Sequence, residues 1–451
     1  MRSDLIVIGA GTAGSMAART AAELGFDVCL IDKKERKEIG DKVCGEGVGK
    51  HHFDNLGISP PRGNELASVV TGVNIYSPDG QTVFRVRGKG MYGFMINRHE
   101  FGQRLLKEAL DRGAKLHDSA VVESLIIEKG MVVGVKLRDK KHNEERKVQA
   151  KVVIDACGFQ DALKKQLPPD WRIEMGIKGE DVAALYREIR KLSQKVEEPE
   201  YNRIYFSQMA SPGGYYWIFP KGENLVNVGL GVQMKEGFPN PKNMLYQGVL
   251  SRPLFLDSKV LKGGGGLVTT RRPMSNMVGN GILFVGDAAY QSNPVHGGGI
   301  GSSMVAGKLA AQAACRGIED GDLSMESLWS YNVEFMKWYG AKAAGLDIFR
   351  IFLQKCSDEE LNHGMANGLI KEEDLLKASL GEDLKLTVTE KARRFFRGRG
   401  RLSFLKALEK TAKNMKKMKS LYMHYPQPME FEVWLRQVND IVREMEEMTF
   451  R

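Results

Sequence analysis

A glycine-rich turn near the start of the chain restricts the fold more than any other feature of the sequence. Gly9, Gly11 and Gly14 follow an apolar strand and open an alanine-rich helix, and Asp32 ends the next apolar strand. In such a β-turn-α-β unit the glycines allow a tight turn, close approach of a pyrophosphate and close helix–strand packing. Asp32 is placed to accept hydrogen bonds from ribose hydroxyls. The unit predicts a Rossmann-type dinucleotide-binding domain, with Ala13 also among the cofactor-binding residues.

A second glycine-rich segment, far along the chain, indicates that the dinucleotide is FAD. Asp287 follows an apolar strand, and residues 293–300 then open a helix of small residues. This arrangement resembles the Gly-Asp element of flavoproteins of the p-hydroxybenzoate hydroxylase class. A helix start presents backbone N–H groups and a positive dipole, which favour the negative charge of a reduced flavin. We therefore expect Asp287, Gly299 and Ile300 to contact the flavin nucleotide.

The same resemblance assigns two further residues to the cofactor. Arg98 looks like the flavin-contacting arginine of that class, and Val122, near a strand end, is placed to contact adenine through its backbone. For Arg98 the alternative is a surface residue at a helix start. For Val122 the alternative is packing in the core.

Two motifs between these elements narrow the resemblance to one family. Residues 212–220 read PGGYYWIFP and fit the pattern PxxYxWxFP, and Cys44-Gly45-Glu46-Gly47 fits CGxG. Together with the glycine-rich elements, they look like the geranylgeranyl reductase family over roughly residues 1–350. The resemblance implies that FADH₂ hydrogenates C=C bonds of isoprenoid chains on archaeal membrane lipids. It also implies that Cys44, Gly45 and Gly47 lie at the flavin.

The expected fold class is α/β (α+β overall), in three parts. The resemblance implies a Rossmann-type FAD-binding domain, an antiparallel β-sheet cap and a C-terminal helical region. The predicted limits are 1–75 with 98–165 and 275–320 for the FAD-binding domain, 76–97 with 166–274 for the cap, and 321–451 for the helical region.

The aromatic strand in residues 215–219 is the candidate wall of a lipid pocket. Alternation along a strand puts Tyr215, Trp217 and Phe219 on one face and the residues between them on the other. Three aromatic rings on one face suit flat, apolar alkenyl groups. The alternative is an aromatic strand buried in a sheet core.

Catalysis by the family reaction needs a hydride from flavin N5 and a proton for the other alkene carbon. Cys44 is the leading candidate for the proton source, because the glycines beside it let the thiol approach the flavin; a buried structural thiol is the alternative. Tyr215 and an ordered water are rivals, and Trp217 completes the candidate catalytic set. His296, beside the flavin-facing helix start, joins the candidate substrate-binding residues, although many family members would do without it.

The external electron donor stays open at this stage. No second strand–GxGxxG–helix unit is present for a nicotinamide, so a ferredoxin-like carrier and NAD(P)H are both candidates.

Two other functions fit the same scaffold: an FAD monooxygenase, and an electron-transfer flavoprotein that reduces a quinone. The eight histidines and five cysteines show no metal-binding spacing, so no metal is expected; pairing of Cys315 with Cys356 stays open.

A basic segment near the C-terminus is the last notable feature. Residues 391–419 hold twelve Lys and Arg against one acid, in a chain of net charge +10. Apolar residues recur there at helical spacing, namely Leu402, Leu405, Leu408, Ala412, Met415, Met418 and Tyr422. Two interpretations compete: contact with an anionic membrane surface, and packing of the stripe on the protein. Nucleic-acid binding is not expected. With no apolar run of spanning length, the expected location is the cytoplasm, with peripheral contact at the inner face of the cell membrane as an option.

Overall fold

The structure, a computed structural model, describes residues 2–88, 90–380 and 402–449. Its strands are β1 (Arg2–Ile8), β2 (Val28–Ile31), β3 (Gly47–Gly49), β4 (Leu66–Val70), β5 (Gly72–Tyr76), β6 (Val83–Arg87), β7 (Gly93–Ile96), β8 (Lys115–His117), β9 (Ala120–Glu128), β10 (Met131–Asp139), β11 (Glu144–Asp155), β12 (Val182–Lys191), β13 (Tyr201–Phe206), β14 (Tyr215–Pro220), β15 (Leu225–Gln233), β16 (Lys259–Thr269), β17 (Val278–Gly279) and β18 (Ile282–Phe284). Its helices are α1 (Thr12–Glu23), α2 (Lys50–Leu56), α3 (Arg98–Asp111), α4 (Pro241–Met244), α5 (Ile300–Asp320), α6 (Met325–Phe335), α7 (Ala341–Lys355), α8 (Asp358–Ala366), α9 (Glu372–Leu380), α10 (Leu402–Met423) and α11 (Phe431–Glu446).

A mostly parallel sheet forms the first layer. Strands β18, β11, β1, β2 and β8 run parallel in that order, and β17 closes one edge antiparallel to β18. Strands β9 and β10 extend from β11 as an antiparallel ribbon. The buried runs of β1 and β2 match a parallel sheet that is covered on both faces. The Rossmann-type unit predicted from the glycine-rich turn is therefore confirmed.

Small residues let helices α1 and α5 pack closely on this sheet. A Cβ atom on Gly307 of α5 would lie 2.2 Å from the carbonyl oxygen of Ala13 in α1, so only glycine fits there. At the first turns of the two helices, Thr12 Oγ1 lies 2.9 Å from Ser303 Oγ. The close packing brings two helix N-termini to one end of the sheet, although Thr12 and Ser303 are 291 residues apart in the chain.

A seven-stranded sheet forms the cap, in the order β16-β12-β15-β14-β13-β5-β6. Its pairings are antiparallel with one exception, since β5 and β13 run parallel. The expected antiparallel cap thus contains one parallel pair, because β5 reaches the cap from the first part of the chain and β13 from the middle. Strands β3, β7 and β4 form a third, small sheet, in that order.

Sheet membership bears on the predicted domain limits, which stay a prediction. Strands β5 and β6 both belong to the cap sheet, so the cap would begin near residue 72 and not at 76. Strand β7 pairs with β3 and β4, outside the cap sheet.

Buried ion pairs attach the C-terminal helices to the cap. Asp347 of α7 has no exposed side-chain surface; its carboxylate lies 2.6 Å from Arg350 Nη2 and 3.1 Å from Arg272 Nη1. Arg350 Nη2 also lies 2.8 Å from Asp181, which directly precedes β12. Burial acts to raise the pKa of Asp347, but Arg350 and Arg272 outweigh it and hold the pKa below its ordinary value. The cluster fixes α7 against the cap.

Three further features concern membranes, metals and thiols. In the described ranges, no helix combines the length and apolar character needed to cross a bilayer. The same ranges contain no cluster of three or more His, Cys, Asp or Glu side chains suited to a metal ion. All five cysteines are free thiols, so Cys315 and Cys356 do not form a disulfide.

We expect Asp347→Ala to lower the free energy of unfolding by about 3–5 kcal/mol, because it removes the buried carboxylate that Arg272 and Arg350 share. The depressed pKa means that the stabilisation is complete at neutral pH and is lost as the pH falls below the ordinary Asp range. Chemical denaturation at neutral pH measures the change. As a control, Asp111→Ala removes an exposed pair with Lys107, whose side chains are 55% and 72% exposed, and should cost less than about 1 kcal/mol. Equal losses in both variants would contradict the assignment.

Candidate active site

One large cavity lies between the parallel sheet and the cap. Its volume is about 890 Å³, and it extends from the turn after β1, past the start of α5, to strand β14 of the cap. The cavity is lined by every residue that the sequence nominates for cofactor or substrate, with Gly14 as the exception. Those lining residues are Gly9, Gly11, Ala13, Asp32, Cys44, Gly45, Gly47, Arg98, Val122, Tyr215, Trp217, Phe219, Asp287, His296, Gly299 and Ile300.

The three glycines of the β1–α1 turn differ in what requires them. Gly9 has a φ of +96°, and a Cβ there would meet the Ala156 carbonyl oxygen at 2.5 Å. A Cβ on Gly14 would lie 1.7 Å from the Gly9 oxygen, so Gly14 serves helix–strand packing and not the cavity wall. A Cβ on Gly11 would meet no described protein atom within 4 Å. The open side of Gly11 faces the cavity, as a site for a bound pyrophosphate requires.

Asp32 lies at the carboxyl end of β2, beside the glycine-rich turn. Its two carboxylate oxygens accept hydrogen bonds from the backbone N–H groups of Ala10, at 2.7 Å, and Lys34, at 2.8 Å. Each carboxylate oxygen has a second acceptor position, so ribose hydroxyls can still donate to it. Val122, in β9, lines the same end of the cavity and packs partly against the core.

The second glycine-rich element, residues 286–300, lines another side of the cavity. Asp287 Oδ2 lies 2.5 Å from Lys42 Nζ, and its Oδ1 accepts a hydrogen bond from Ser292 Oγ at 3.0 Å. Burial acts to raise the pKa of Asp287, but Lys42 and Ser292 hold it below its ordinary value. Gly299 and Ile300 form the start of α5 and line the cavity, so the positive end of the α5 dipole faces it.

Arg98 is a buried cation at the cavity wall. It is the first residue of α3 and is 5% exposed, and its Nε and Nη1 atoms have no hydrogen-bond partner among the described residues. Burial lowers the pKa of its guanidinium. A buried guanidinium with unsatisfied donors is costly unless an anion is bound.

These features fit FAD. Two helix N-termini, the open side of Gly11 and the unsatisfied donors of Arg98 suit a diphosphate and an anionic reduced flavin. Asp32 would hold the ribose, and Asp287 the ribityl or pyrophosphate region.

The aromatic strand β14 forms the opposite wall. Tyr215, Trp217 and Phe219 line the cavity, while Tyr216 and Ile218 belong to the hydrophobic core of the cap. The Tyr215 hydroxyl donates to the His296 carbonyl oxygen at 2.7 Å, and burial raises the pKa of Tyr215. The phenol is therefore protonated at neutral pH and fixed to the loop that precedes α5.

His296 and Cys44 lie at the junction between the two walls. Burial lowers the pKa of His296 to about 4, aided by the charge of Lys342, so its imidazole is neutral at physiological pH. The Cys44 thiol lines the cavity, and its Sγ accepts a hydrogen bond from the Glu46 N–H at 3.3 Å.

Sequence reasoning missed several polar residues at and behind the cavity wall. Lys42 lines the cavity and pairs with Asp287. Asn227 and Lys221 are outside the lining; they contact Glu46 and are 0% and 7% exposed. One signal was present: Asn227 is a single polar residue within the apolar run of β15, whose neighbours Val226 and Val228 lie in the cap core. Glu46 stands inside the CGxG motif, but its buried partners come from the remote cap.

The basic segment divides at the boundary of the described residues. Residues 391–401 lie outside them, and 402–419 belong to α10, which packs along α7. The buried face of α10 consists of Phe404, Ala407, Thr411, Asn414, Met418 and Tyr422. Leu405, Leu408 and Met415 of the predicted stripe pack partly against the core. Leu402, the first residue of the predicted stripe, is 44% exposed, so the stripe faces the protein only after that residue. Lys406, Lys413, Lys416 and Lys417 face outwards.

Comparisons with known proteins agree with this architecture. The family model of the geranylgeranyl reductase catalytic domain matches residues 181–268, which span the cap strands β12 to β16, and that of the lycopene cyclase protein matches residues 4–177. The solved structure of a geranylgeranyl bacteriochlorophyll reductase-like protein from Thermoplasma acidophilum has a TM-score of 0.76 and 26% identity, covering 91% of this chain and 99% of that one. A flavin-dependent brominase, with a TM-score of 0.63 and 18% identity over 84% of this chain and 94% of its own, shares the fold.

Two curated relatives extend over most of the chain. Digeranylgeranylglycerophospholipid reductase of Sulfolobus acidocaldarius is 44% identical over 447 residues, covering 98% of both chains. The protein of the same name from Methanothrix thermoacetophila is 33% identical, covering 86% of this chain and 96% of its own. By this identity and coverage, the chain belongs to the digeranylgeranylglycerophospholipid reductase family.

Proposed function

We propose that the chain is an FAD-dependent oxidoreductase that hydrogenates C=C bonds of geranylgeranyl chains in archaeal-type isoprenoid membrane lipids. One observation carries the proposal: a single cavity joins the dinucleotide end, at Gly9 and Gly11, to the aromatic wall of Tyr215, Trp217 and Phe219. A cofactor and an apolar substrate can therefore meet in one cavity. Membership of the reductase family gives the substrate class.

The chain's own residues would prepare the site for a hydride and a proton. When bound and reduced, FAD supplies the hydride. Apolar and aromatic side chains exclude water and orient the alkenyl chain along β14. The proton donor stays a prediction, with Cys44 leading; Tyr215 holds its proton in a hydrogen bond to a backbone carbonyl. A ferredoxin-like carrier and NAD(P)H are the two candidate donors for reducing the flavin.

The first test is anaerobic. Protein reduced with dithionite and mixed with a digeranylgeranylglycerophospholipid should return to oxidised flavin, with lipid products heavier by two hydrogens per reduced bond, measured by absorbance and mass spectrometry. A flavin that stays reduced until oxygen or a quinone is added would contradict the proposal and favour the monooxygenase or electron-transfer alternative.

A pair of variants on β14 tests the aromatic wall in the same assay. Trp217→Ala should lower lipid turnover by about tenfold or more with FAD still bound, because the chain loses its orienting surface. Ile218→Val, on the opposite face of the strand, should cost about 1 kcal/mol of stability and leave turnover unchanged. Equal turnover in the wild type and Trp217→Ala would remove the wall from the proposal.

Gly11→Ala tests the cofactor site independently of turnover. The added methyl group meets no described protein atom, so the flavin-free protein should unfold as the wild type does. A pyrophosphate bound there would clash with this methyl group, at a cost of about 1–3 kcal/mol of binding free energy. FAD affinity, measured by fluorescence titration, should therefore be roughly tenfold to hundredfold weaker. Gly248→Ala, in ordinary contact with Ala210 outside the cavity, should bind FAD normally. Unchanged affinity in Gly11→Ala would contradict the placement of the pyrophosphate.

We also propose peripheral contact with an anionic bilayer through the outward face of α10. Lys406, Lys413, Lys416 and Lys417 are exposed on this helix, while its apolar stripe beyond Leu402 is packed on the protein. The contact would therefore be electrostatic, without insertion of the helix, at about 1 kcal/mol per lysine near the surface.

Replacing these four lysines with Gln should abolish most cosedimentation with phosphatidylglycerol-containing vesicles, and added salt should do the same to the wild type. The control replaces four exposed lysines elsewhere that have acidic neighbours: Lys37, Lys107, Lys178 and Lys195. Similar losses in both variants, or none in either, would contradict a role for α10.

A further inference from the structure

A buried polar network links the CGxG motif to the PxxYxWxFP motif, the two motifs that contain the candidate catalytic residues. Asn227 of β15 accepts a hydrogen bond from the Trp217 indole Nε1 at 2.9 Å, and its Nδ2 donates to the Cys44 carbonyl oxygen, also at 2.9 Å. The same Nδ2 lies 3.3 Å from Glu46 Oε2. One fully buried side chain thus joins the aromatic wall of the cap to the CGxG turn.

Glu46, which contacts Asn227, also forms two buried ion pairs. Its Oε2 lies 2.5 Å from Lys221 Nζ, and its Oε1 lies 3.5 Å from Arg187 Nη2, with all three side chains at least 94% buried. Lys221 Nζ also donates to the Ile96 carbonyl oxygen at 3.0 Å. Arg187 belongs to β12, Lys221 directly follows β14, Ile96 belongs to β7, and Glu46 lies in the turn before β3. The network therefore crosses from the cap to the small sheet.

The backbone at Glu46 shows that the turn is held by its surroundings. Its φ is +67°, in the left-handed region that glycine and asparagine adopt more readily than glutamate. Such a conformation persists only where neighbouring contacts determine it. Here the contacts are the buried ion pairs and the bond from the Ile96 N–H to the Glu46 carbonyl oxygen at 2.9 Å. This turn also sets the direction of the Cys44 thiol, which accepts the Glu46 N–H.

The Trp217 ring is fixed from two sides. Its N–H is bonded to Asn227, and a Cβ atom on Gly229 would lie 2.5 Å from its Cζ2 atom, so the indole lies directly on that glycine. Asn227 is therefore hydrogen-bonded both to the edge of the ring and to the Cys44 carbonyl.

We propose that Asn227, with Glu46 as its charged support, is a positioning residue that sets the Cys44 turn and the Trp217 ring relative to each other in the cavity. The inference rests on the proposed function only for its turnover readout. It assigns Asn227 no contact with cofactor or substrate.

The test variant is Asn227→Asp. A carboxylate can still accept the Trp217 N–H but cannot donate to the Cys44 carbonyl or to Glu46. The nearby Lys221 and Arg187 offset its charge. The readout is the rate of iodoacetamide alkylation at Cys44, localised by peptide mass spectrometry, with Cys157 as the internal reference.

In Asn227→Asp we expect Cys44 to be alkylated several-fold faster than in the wild type, with the Cys157 rate unchanged. The kcat for lipid should fall by about tenfold while KM changes little, because geometry and not affinity is lost. The matched control is Asn332→Asp, an equally buried asparagine of α6 bonded to Met277 and Asn276, which should leave both readouts unchanged.

Unchanged alkylation at Cys44 in Asn227→Asp would overturn the proposal, whatever happens to kcat. If that variant does not fold, the double variant Glu46→Gln with Lys221→Met keeps the same net charge and should show the same faster alkylation; wild-type rates there would also overturn it. A wild-type protein that reduces no lipid would refute the proposed function instead, and the alkylation rates would still decide the role of Asn227.

Discussion

The close contact between α1 and α5 is the constraint on which the rest of the structure depends. Gly307 leaves no room for a side chain against the Ala13 carbonyl, and Gly14 leaves none against Gly9. Because glycine and alanine fill this interface, two helices that are far apart in the sequence begin at one edge of the sheet. Both helix N-termini therefore face one cavity, and their dipoles act on the same ligand. A larger residue at position 307 would push α5 away from α1 and separate the halves of the dinucleotide site.

The two faces of the cap sheet have different surroundings. One face packs in a hydrophobic core, and the other leaves space for the cavity. On β15, Val226, Val228 and Leu230 fill the core face, while Asn227, Gly229 and Gly231 alternate with them. The glycines make room for the Trp217 ring and for the cavity. The asparagine is the polar exception, and its hydrogen bonds are satisfied only because the CGxG turn lies opposite it. The cavity and the buried network are therefore consequences of the same alternation.

Buried charges serve two purposes in this molecule. Asp347, Arg272 and Arg350 form a cluster in which the carboxylate accepts from both guanidinium groups, and this cluster attaches α7 to the cap. At the cavity, by contrast, Arg98 has two buried donors without a partner among the described residues. A buried positive charge with unsatisfied donors at a cavity wall favours an anionic ligand. A diphosphate and a reduced flavin are anions of that kind.

The sequence by itself determined the elements whose physics is local. The β1–α1–β2 unit, the helix start at Ile300 and the two faces of β14 follow from glycine geometry and strand alternation, which depend on neighbours along the chain. Only the tertiary structure decided which surfaces meet. The apolar spacing of α10 was visible in the sequence, but not that α7 covers it. Likewise β5 pairs with β13, and Glu46 meets Lys221 and Asn227, across 129 to 181 residues of chain. Such contacts are set by the topology of the sheets, and no local pattern of residue types encodes that topology.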